Sequence, residues 1–220
     1  AYIGKDLDAR LSAMRTIWVN PQSPLDRVAA QVLLSRAARR VGPSIDLQSD
    51  APDLVASLLA GGFDREAARW SSLAGDMDDQ PGDAVWAMLA LGAPDGQHPA
   101  IEVNRIEDFA DRDQSEGKQR TALLVAGLAG LGRIDSASAG NLDRAYQLGL
   151  AADTGWTRMI DGAMRRRQAG TSMVLSASAL QGLSFEDVRG VYLYHSVNAL
   201  KRTGQEYLAR MIAAEALART

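Results

Sequence analysis

The 220-residue sequence contains no cysteine, few aromatic residues and no long apolar run. The absence of cysteine excludes disulfides, thiolate metal sites and cysteine nucleophiles within this chain. Phe, Trp and Tyr number only three, four and five. Because strands favour aromatic and β-branched residues, this scarcity argues against a fold rich in strands. No apolar run approaches the roughly 18 residues that a membrane-spanning helix needs, so we expect no membrane span.

The charge balance is mildly acidic, with a net charge of −3 and a pI near 5.4. Because nucleic-acid binding needs a basic surface, we expect no nucleic-acid partner.

The lack of cysteine is compatible with any compartment, and the first residue is Ala1 rather than Met. That start is compatible with a removed tag, signal peptide or longer N-terminal part. We expect a soluble protein of the bacterial periplasm rather than the cytoplasm.

Alanine is the abundant residue, with 37 copies. It has the highest intrinsic helix propensity and allows helices to approach closely. We therefore predict an all-α fold of ten to twelve helices with short connections, stacked as antiparallel helical hairpins. The predicted helices cover residues 5–19, 24–40, 51–60, 64–73, 82–91, a short segment from 104, 118–131, 136–151, 155–168, 172–181, 185–202 and 205–219.

Helix start signals support these boundaries. Ser23 is the expected N-cap of the second helix, with Pro24 at its first position. Later starts are predicted in the same way at Asp50, at Asp64, at Asn104 with Glu107, and at Ser184 with Asp187. The stretch 171–180 is rich in Ser, Thr and Val, so it would also fit a strand. The chain is predicted to form a single domain over 1–220, with the proline-containing loop 93–103 as the place where a boundary would fall.

A sequence frame recurs around Gly62, Gly132 and Gly204. In each copy a valine lies seven residues before the glycine, a leucine four before it and an alanine five after it. The alanines are Ala67, Ala137 and Ala209. We interpret the three glycines as positive-φ joints between two helices, with the small alanine allowing the returning helix to pack tightly.

This frame resembles the tetratricopeptide repeat, whose helix pairs carry a leucine in the first helix, a turn glycine and alanines five and twelve residues later. Ala74 and Ala216 fill the last position, where the middle copy has Arg144. The resemblance covers about 90 residues and implies a right-handed superhelix that presents a concave binding surface. The chain as a whole also resembles uncharacterised helical proteins of alphaproteobacteria, a likeness that implies no function.

The sequence also departs from the tetratricopeptide pattern. Valine stands where the family has a glycine after the first leucine, and the aromatic residue of the turn is missing. Ser196 replaces that first leucine in the third copy. The 34-residue period of the family is seen only as a near doubling, with poorly matching units at Gly96 and Gly170.

Acidic and basic clusters are explained without a ligand. The loop 75–83 carries four aspartates, but it lacks the spacing of an EF-hand, and we interpret it as a solvated inter-helix loop without a metal. Arg165 and Arg166, like the cluster 36–40, lie near a predicted helix C-terminus, where cations offset the helix dipole. The alternative for these arginines is a groove for an anionic partner. No cofactor is expected, and the four tryptophans are expected in the core.

The segment around His195 is the one candidate for chemistry. Tyr192 and Tyr194 flank the histidine, which could act as a general base in a polar pocket. Adjacent helical residues point about 100° apart, so a packed, hydrogen-bonded histidine is the favoured interpretation. The leading functional hypothesis is a non-enzymatic scaffold or interaction module that binds another protein or peptide. The alternative is an all-α enzyme or small-ligand binder with a pocket around Tyr192, Tyr194 and His195.

Overall fold

The computed structural model describes residues 6–181 and 185–220, and within these ranges the regular structure is entirely helical. The predicted all-α class is therefore confirmed. The described ranges contain short 3-10 turns at Ile45–Leu47, Glu116–Lys118 and Phe185–Asp187. The α-helices are α1 Leu7–Val19, α2 Pro24–Ala38, α3 Ala51–Ala60, α4 Asp64–Ala68, α5 Asp79–Gly92, α6 Val103–Arg112, α7 Gln119–Gly130, α8 Ser136–Tyr146, α9 Gly155–Arg165, α10 Ala169–Leu180, α11 Gly190–Arg202 and α12 Glu206–Ala218.

Some predicted caps are confirmed and others are wrong. Ser23 caps α2 by accepting a hydrogen bond from the Asp26 N–H at 3.1 Å. Asp50 precedes α3 but makes no cap bond, because its backbone is already helical and its carboxylate binds the Arg15 guanidinium. Asp64 is not a cap, since it is the first residue of α4 and follows Phe63.

The two later cap predictions also need correction. Glu102, rather than Asn104, occupies the N-cap position of α6, and no capping box forms with Glu107. The penultimate helix begins at Gly190 rather than at 185, because Asp187 belongs to a separate 3-10 turn. Ser184 lies outside the described residues. The stretch 171–180 lies within the helix α10.

The chain divides into two compact units, residues up to Pro99 and residues from Ala100 onward, with the boundary inside the 93–103 loop. In the first unit, α2 packs closely on α3, and a Cβ on Gly61 would collide with the Ser35 side chain. Trp70 is fully buried, and the Trp18 indole N–H donates to the Ser57 hydroxyl at 3.0 Å. These two tryptophans are core residues as predicted.

The second unit is built around α7, whose most extensive neighbour is α11. Near the start of both helices, a Cβ on Gly190 would lie 3.6 Å from the Ala122 Cβ. Further along, a Cβ on Gly130 would lie 2.9 Å from the Val197 Cβ. The two helices therefore run parallel and approach closely through small residues. Helix α12 packs against both of them, and α8 packs against α7.

The start of α7 is held by the carboxylate of Asp113. Its two oxygens accept hydrogen bonds from the backbone N–H and hydroxyl groups of Ser115 and Thr121, over 2.6–2.9 Å. Burial acts to raise the pKa of this carboxyl, but the four hydrogen bonds outweigh it and hold the pKa below its ordinary value. Asp113 therefore caps α7 with a charged side chain, although it lies outside the first turn of that helix.

The three glycine joints share one hydrogen-bond pattern. Gly62, Gly132 and Gly204 have φ values of 77°, 64° and 86°. In each joint the residue after the glycine donates to the carbonyl of the frame leucine at 2.8–2.9 Å, and the glycine N–H donates to the residue three before it. This pair of bonds is the Schellman motif. The interpretation of these glycines as positive-φ helix ends is confirmed.

The alanine of the frame does not have the same environment in all three copies. Ala67 and Ala209 are fully buried, but Ala137 is exposed. Helices α4 and α12 begin two residues after their glycine, whereas α8 begins at Ser136, four residues after Gly132. The longer connection moves Ala137 to the second position of α8 and turns it towards solvent. The packing role predicted for Ala137 is therefore wrong.

Candidate functional site

The predicted site residues on α11 are divided between two environments. The His195 Nδ1 lies 2.8 Å from an Asp161 carboxylate oxygen on α9, and the imidazole is largely buried. Tyr192 lies one helical turn away, and its ring makes an edge contact with Trp156 at 5.1 Å. Trp156 also contacts the His195 ring edge at 6.5 Å. The carboxylate fixes the orientation of the imidazole.

Tyr194 lies on a different face of α11 and lines a cavity of about 190 Å³. Helix α8 forms one wall of the cavity, while Ala129, Ile134 and Leu150 supply apolar lining. His195 is not among the lining residues, although the Tyr194 and His195 rings touch edge to face at 5.0 Å. The structure thus places Tyr192 with His195 against α9 and assigns Tyr194 to a cavity against α7 and α8.

Helix α10 exposes three of its apolar side chains and buries two of its four hydroxyl residues. Val174 is 69% exposed and Met173 is 40% exposed, and Ala177, one turn on, is exposed as well. The inward positions are Ser172 and Ser176, which are buried without a hydrogen-bond partner in the described part of the chain. A buried hydroxyl left unpaired costs about 1–3 kcal/mol. At these positions the helix departs from an ordinary amphipathic surface helix, which buries its apolar side chains and exposes its polar ones.

The joint between α9 and α10 carries the predicted arginines, Arg165 and Arg166, followed by Arg167. All three side chains are exposed. The Gln168 N–H donates to the Ala163 carbonyl at 2.9 Å, as in the glycine joints, but the positive-φ position is held by Arg167 with φ 55°. A left-handed backbone costs an L-residue about 1–2 kcal/mol, so glycine would fit this joint better. No acidic residue occurs in residues 165–181.

Two features were missed by the sequence interpretation. Asp161 was not identified as the partner of His195, because the two residues are 34 positions apart and only the packing of α9 on α11 joins them. The small-residue stripe of α8, Ser136, Ala139 and Gly140, was also missed. Its spacing of three and four residues is visible in the sequence, but small residues are equally compatible with close packing.

Other candidates have ordinary environments. No group of three or more potential metal-ligating side chains occurs within residues 6–181 and 185–220. In the acidic loop, Gln48 binds both the backbone and the carboxylate of Asp78. His98 is half-buried, and its Nδ1 lies 2.9 Å from the Pro99 carbonyl oxygen. None of the helices in the described part of the chain combines the length and apolar character that crossing a membrane requires.

Comparison with known proteins adds no assignment, since the chain matches no protein-family model and no similar curated protein or solved structure is found. The features that bear on function are the exposed face of α10, the arginine joint and the cavity beside α8.

Proposed function

We propose that this chain is a non-enzymatic helical scaffold whose second unit binds another protein through the outer face of α10 and the arginine joint. The occupant of this surface is an acidic amphipathic helix. The observation that carries the proposal is the exposed apolar stripe of Met173, Val174 and Ala177, together with the three exposed arginines at 165–167 just before α10. A partner helix would cover the stripe with its apolar face and pair its carboxylates with the arginines.

The orientation of α10 supports this proposal energetically. The helix keeps Ser172 and Ser176 inside and Met173 and Val174 outside, although the opposite orientation would satisfy the hydroxyls and bury Val174. Departures from the usual pattern, with apolar side chains inside and polar side chains outside, occur most often where a surface has a function. A bound partner would remove Val174 and Met173 from water, which offsets part of the cost of the buried hydroxyls.

Arg167 supports the same conclusion from the backbone. The joints at Gly62, Gly132 and Gly204 place glycine at the positive-φ position, whereas here, as at Gln147 after α8, a residue with a side chain takes φ 55°. Strain of this kind is typical of functional positions. Arg167 adds a third positive charge to Arg165 and Arg166 at the point where a partner carboxylate would approach.

The scaffold part of the proposal is a tetratricopeptide-like right-handed superhelix. It is supported by the Schellman motif that recurs at Gly62, Gly132 and Gly204 and by the parallel packing of α7 on α11. In helical-repeat proteins the first helices of neighbouring repeats also lie side by side, and the stacked hairpins present an extended surface.

The binding surface can be tested with a labelled synthetic helix that carries leucine on one face and glutamate on the other. We expect fluorescence anisotropy to detect binding to the full chain that weakens with added salt. The double change Arg165→Glu and Arg166→Glu should reduce affinity at least about tenfold. Val174→Asp should do the same. Leu25→Asp is the matched control, because Leu25 on α2 is 70% exposed and should leave the affinity unchanged.

Two outcomes would contradict the proposal. Equal binding of a peptide with lysine in place of glutamate would show that the arginines do not select the partner. Binding to vesicles of anionic phospholipid, with no binding to the acidic peptide, would identify the surface as a membrane contact instead.

A further inference from the structure

The cavity beside α8 is independent of the α10 surface and has the dimensions of a small-molecule site. Its volume is about 190 Å³. The cavity is partly open to solvent, and its volume has room for a six-membered ring with a small polar substituent. It is smaller than the roughly 300–1,000 Å³ typical of sites for drug-sized ligands.

The cavity exists because the inner stripe of α8 is made of small side chains. Ser136, Ala139, Gly140 and Asp143 occupy positions i, i+3, i+4 and i+7 of this helix and all line the cavity. Leu142 is the one buried residue of this eleven-residue helix. A Cβ on Gly140 would meet no atom within 4 Å, so the space beside this residue is open. A glycine in the middle of a helix weakens the helix, and no contact in the described structure requires one here.

The polar groups of the cavity favour a positively charged ligand. Asp143 is the one charged residue among the described residues that line it. One of its carboxylate oxygens accepts a hydrogen bond from the Leu150 N–H at 3.0 Å, which holds the carboxylate in place. Ser136 and Tyr194 line the same cavity, and both carry hydroxyls that can accept further hydrogen bonds.

We propose that the cavity between α7, α8 and α11 binds a small organic ammonium compound. The ammonium group pairs with the second carboxylate oxygen of Asp143 and donates to the Tyr194 or Ser136 hydroxyl. The apolar part of the ligand lies against Ala139, Gly140 and Leu150. An anionic ligand is excluded, because no basic side chain is available among these lining residues to offset its charge.

Three probes that share a ring and differ in charge test this site: benzylammonium, benzyl alcohol and benzoate. Each is titrated into the full chain while amide NMR shifts are followed. We expect saturable shifts confined to the residues of the cavity, with benzylammonium about tenfold tighter than benzyl alcohol and no saturation by benzoate. Asp143→Asn should weaken benzylammonium about tenfold and leave benzyl alcohol unchanged, because the amide keeps the acceptor for the Leu150 N–H.

Gly140→Leu fills the cavity and should abolish both titrations. The matched control is Gly155→Leu, an exposed glycine at the first position of α9 whose Cβ also meets no atom within 4 Å. If the leucine variant does not fold, Gly140→Ala tests the same cavity, and we expect this variant to bind benzylammonium more weakly than wild type does. Equal titration of wild type and the filled variant would overturn the proposal. So would equal affinity for the three probes, or shifts spread over the acidic surface.

Discussion

Two of the helices that pack on α7 in the second unit, α11 and α8, do so in opposite ways. Helix α11 comes so close that a Cβ on Gly130 would lie 2.9 Å from the Tyr194 carbonyl oxygen. Helix α8 is joined to α7 by a Schellman glycine like those elsewhere, yet its inner stripe leaves a cavity of about 190 Å³. Both contacts use small residues. Small side chains therefore close one interface and open the other.

The packing of α8 differs from that of α12 in the number of residues between the joint glycine and the start of the helix. Helix α12 begins two residues after Gly204 and packs Ala209 fully inside. Helix α8 begins four residues after Gly132, which leaves Ala137 exposed and turns Ser136 and Gly140 towards the cavity. Two additional residues in a connection are thus enough to convert a packed hairpin into one that leaves a cavity.

The largest effect is expected from filling the close contact. Gly130→Leu would force side-chain atoms into the Tyr194 backbone and Val197, so we expect a loss of about 3 kcal/mol in the free energy of unfolding. Urea denaturation measures it. Gly140→Leu, the same change on the open side, is the control and should leave the stability close to that of wild type. Similar losses for the two variants would contradict the contrast between the two contacts.

A smaller effect is expected at the start of α7. Asp113→Ala removes the acceptor of four hydrogen bonds and should destabilise the protein by about 1–2 kcal/mol at neutral pH. Because the folded pKa of Asp113 lies below its unfolded value of about 3.9, the stabilisation is present above that value and is lost as pH falls through the folded pKa.

The measurement is urea denaturation between neutral pH and pH 3, and the variant should lose part of the acid dependence seen in wild type. Asp108→Ala, an exposed carboxylate on α6, should change stability by less than about 0.5 kcal/mol. If the free energy of unfolding of the Asp113 variant falls with pH as steeply as that of wild type, these hydrogen bonds do not hold the start of α7.

The smallest effect has the opposite sign. Gly140→Ala should stabilise the protein by about 0.5–1 kcal/mol, because alanine favours the helix and its Cβ has open space. Thermal unfolding followed by circular dichroism measures the gain. A loss of stability would mean that α8 moves against α7 in solution and that the cavity is closed.

Much of the local structure was predictable because it depends on neighbours along the chain. Alanine content and periodicity predicted the helices, and the positive φ of Gly62, Gly132 and Gly204 followed from the frame around them. Prediction failed where tertiary contacts competed with a local signal. Asp50 had the sequence position of a cap, but Arg15, 35 residues away, binds its carboxylate instead.

The sequence by itself determined an all-α chain, the three glycine joints and the arginine cluster after α9, since helix propensity and backbone sterics act within a few residues. Only the tertiary structure decided which face each helix turns outward. It placed Asp161 beside His195, directed Val174 to solvent with Ser176 inside, and left space beside Gly140. The physical reason is that burial and cavities depend on which helices meet, and residues far apart in the chain set that arrangement.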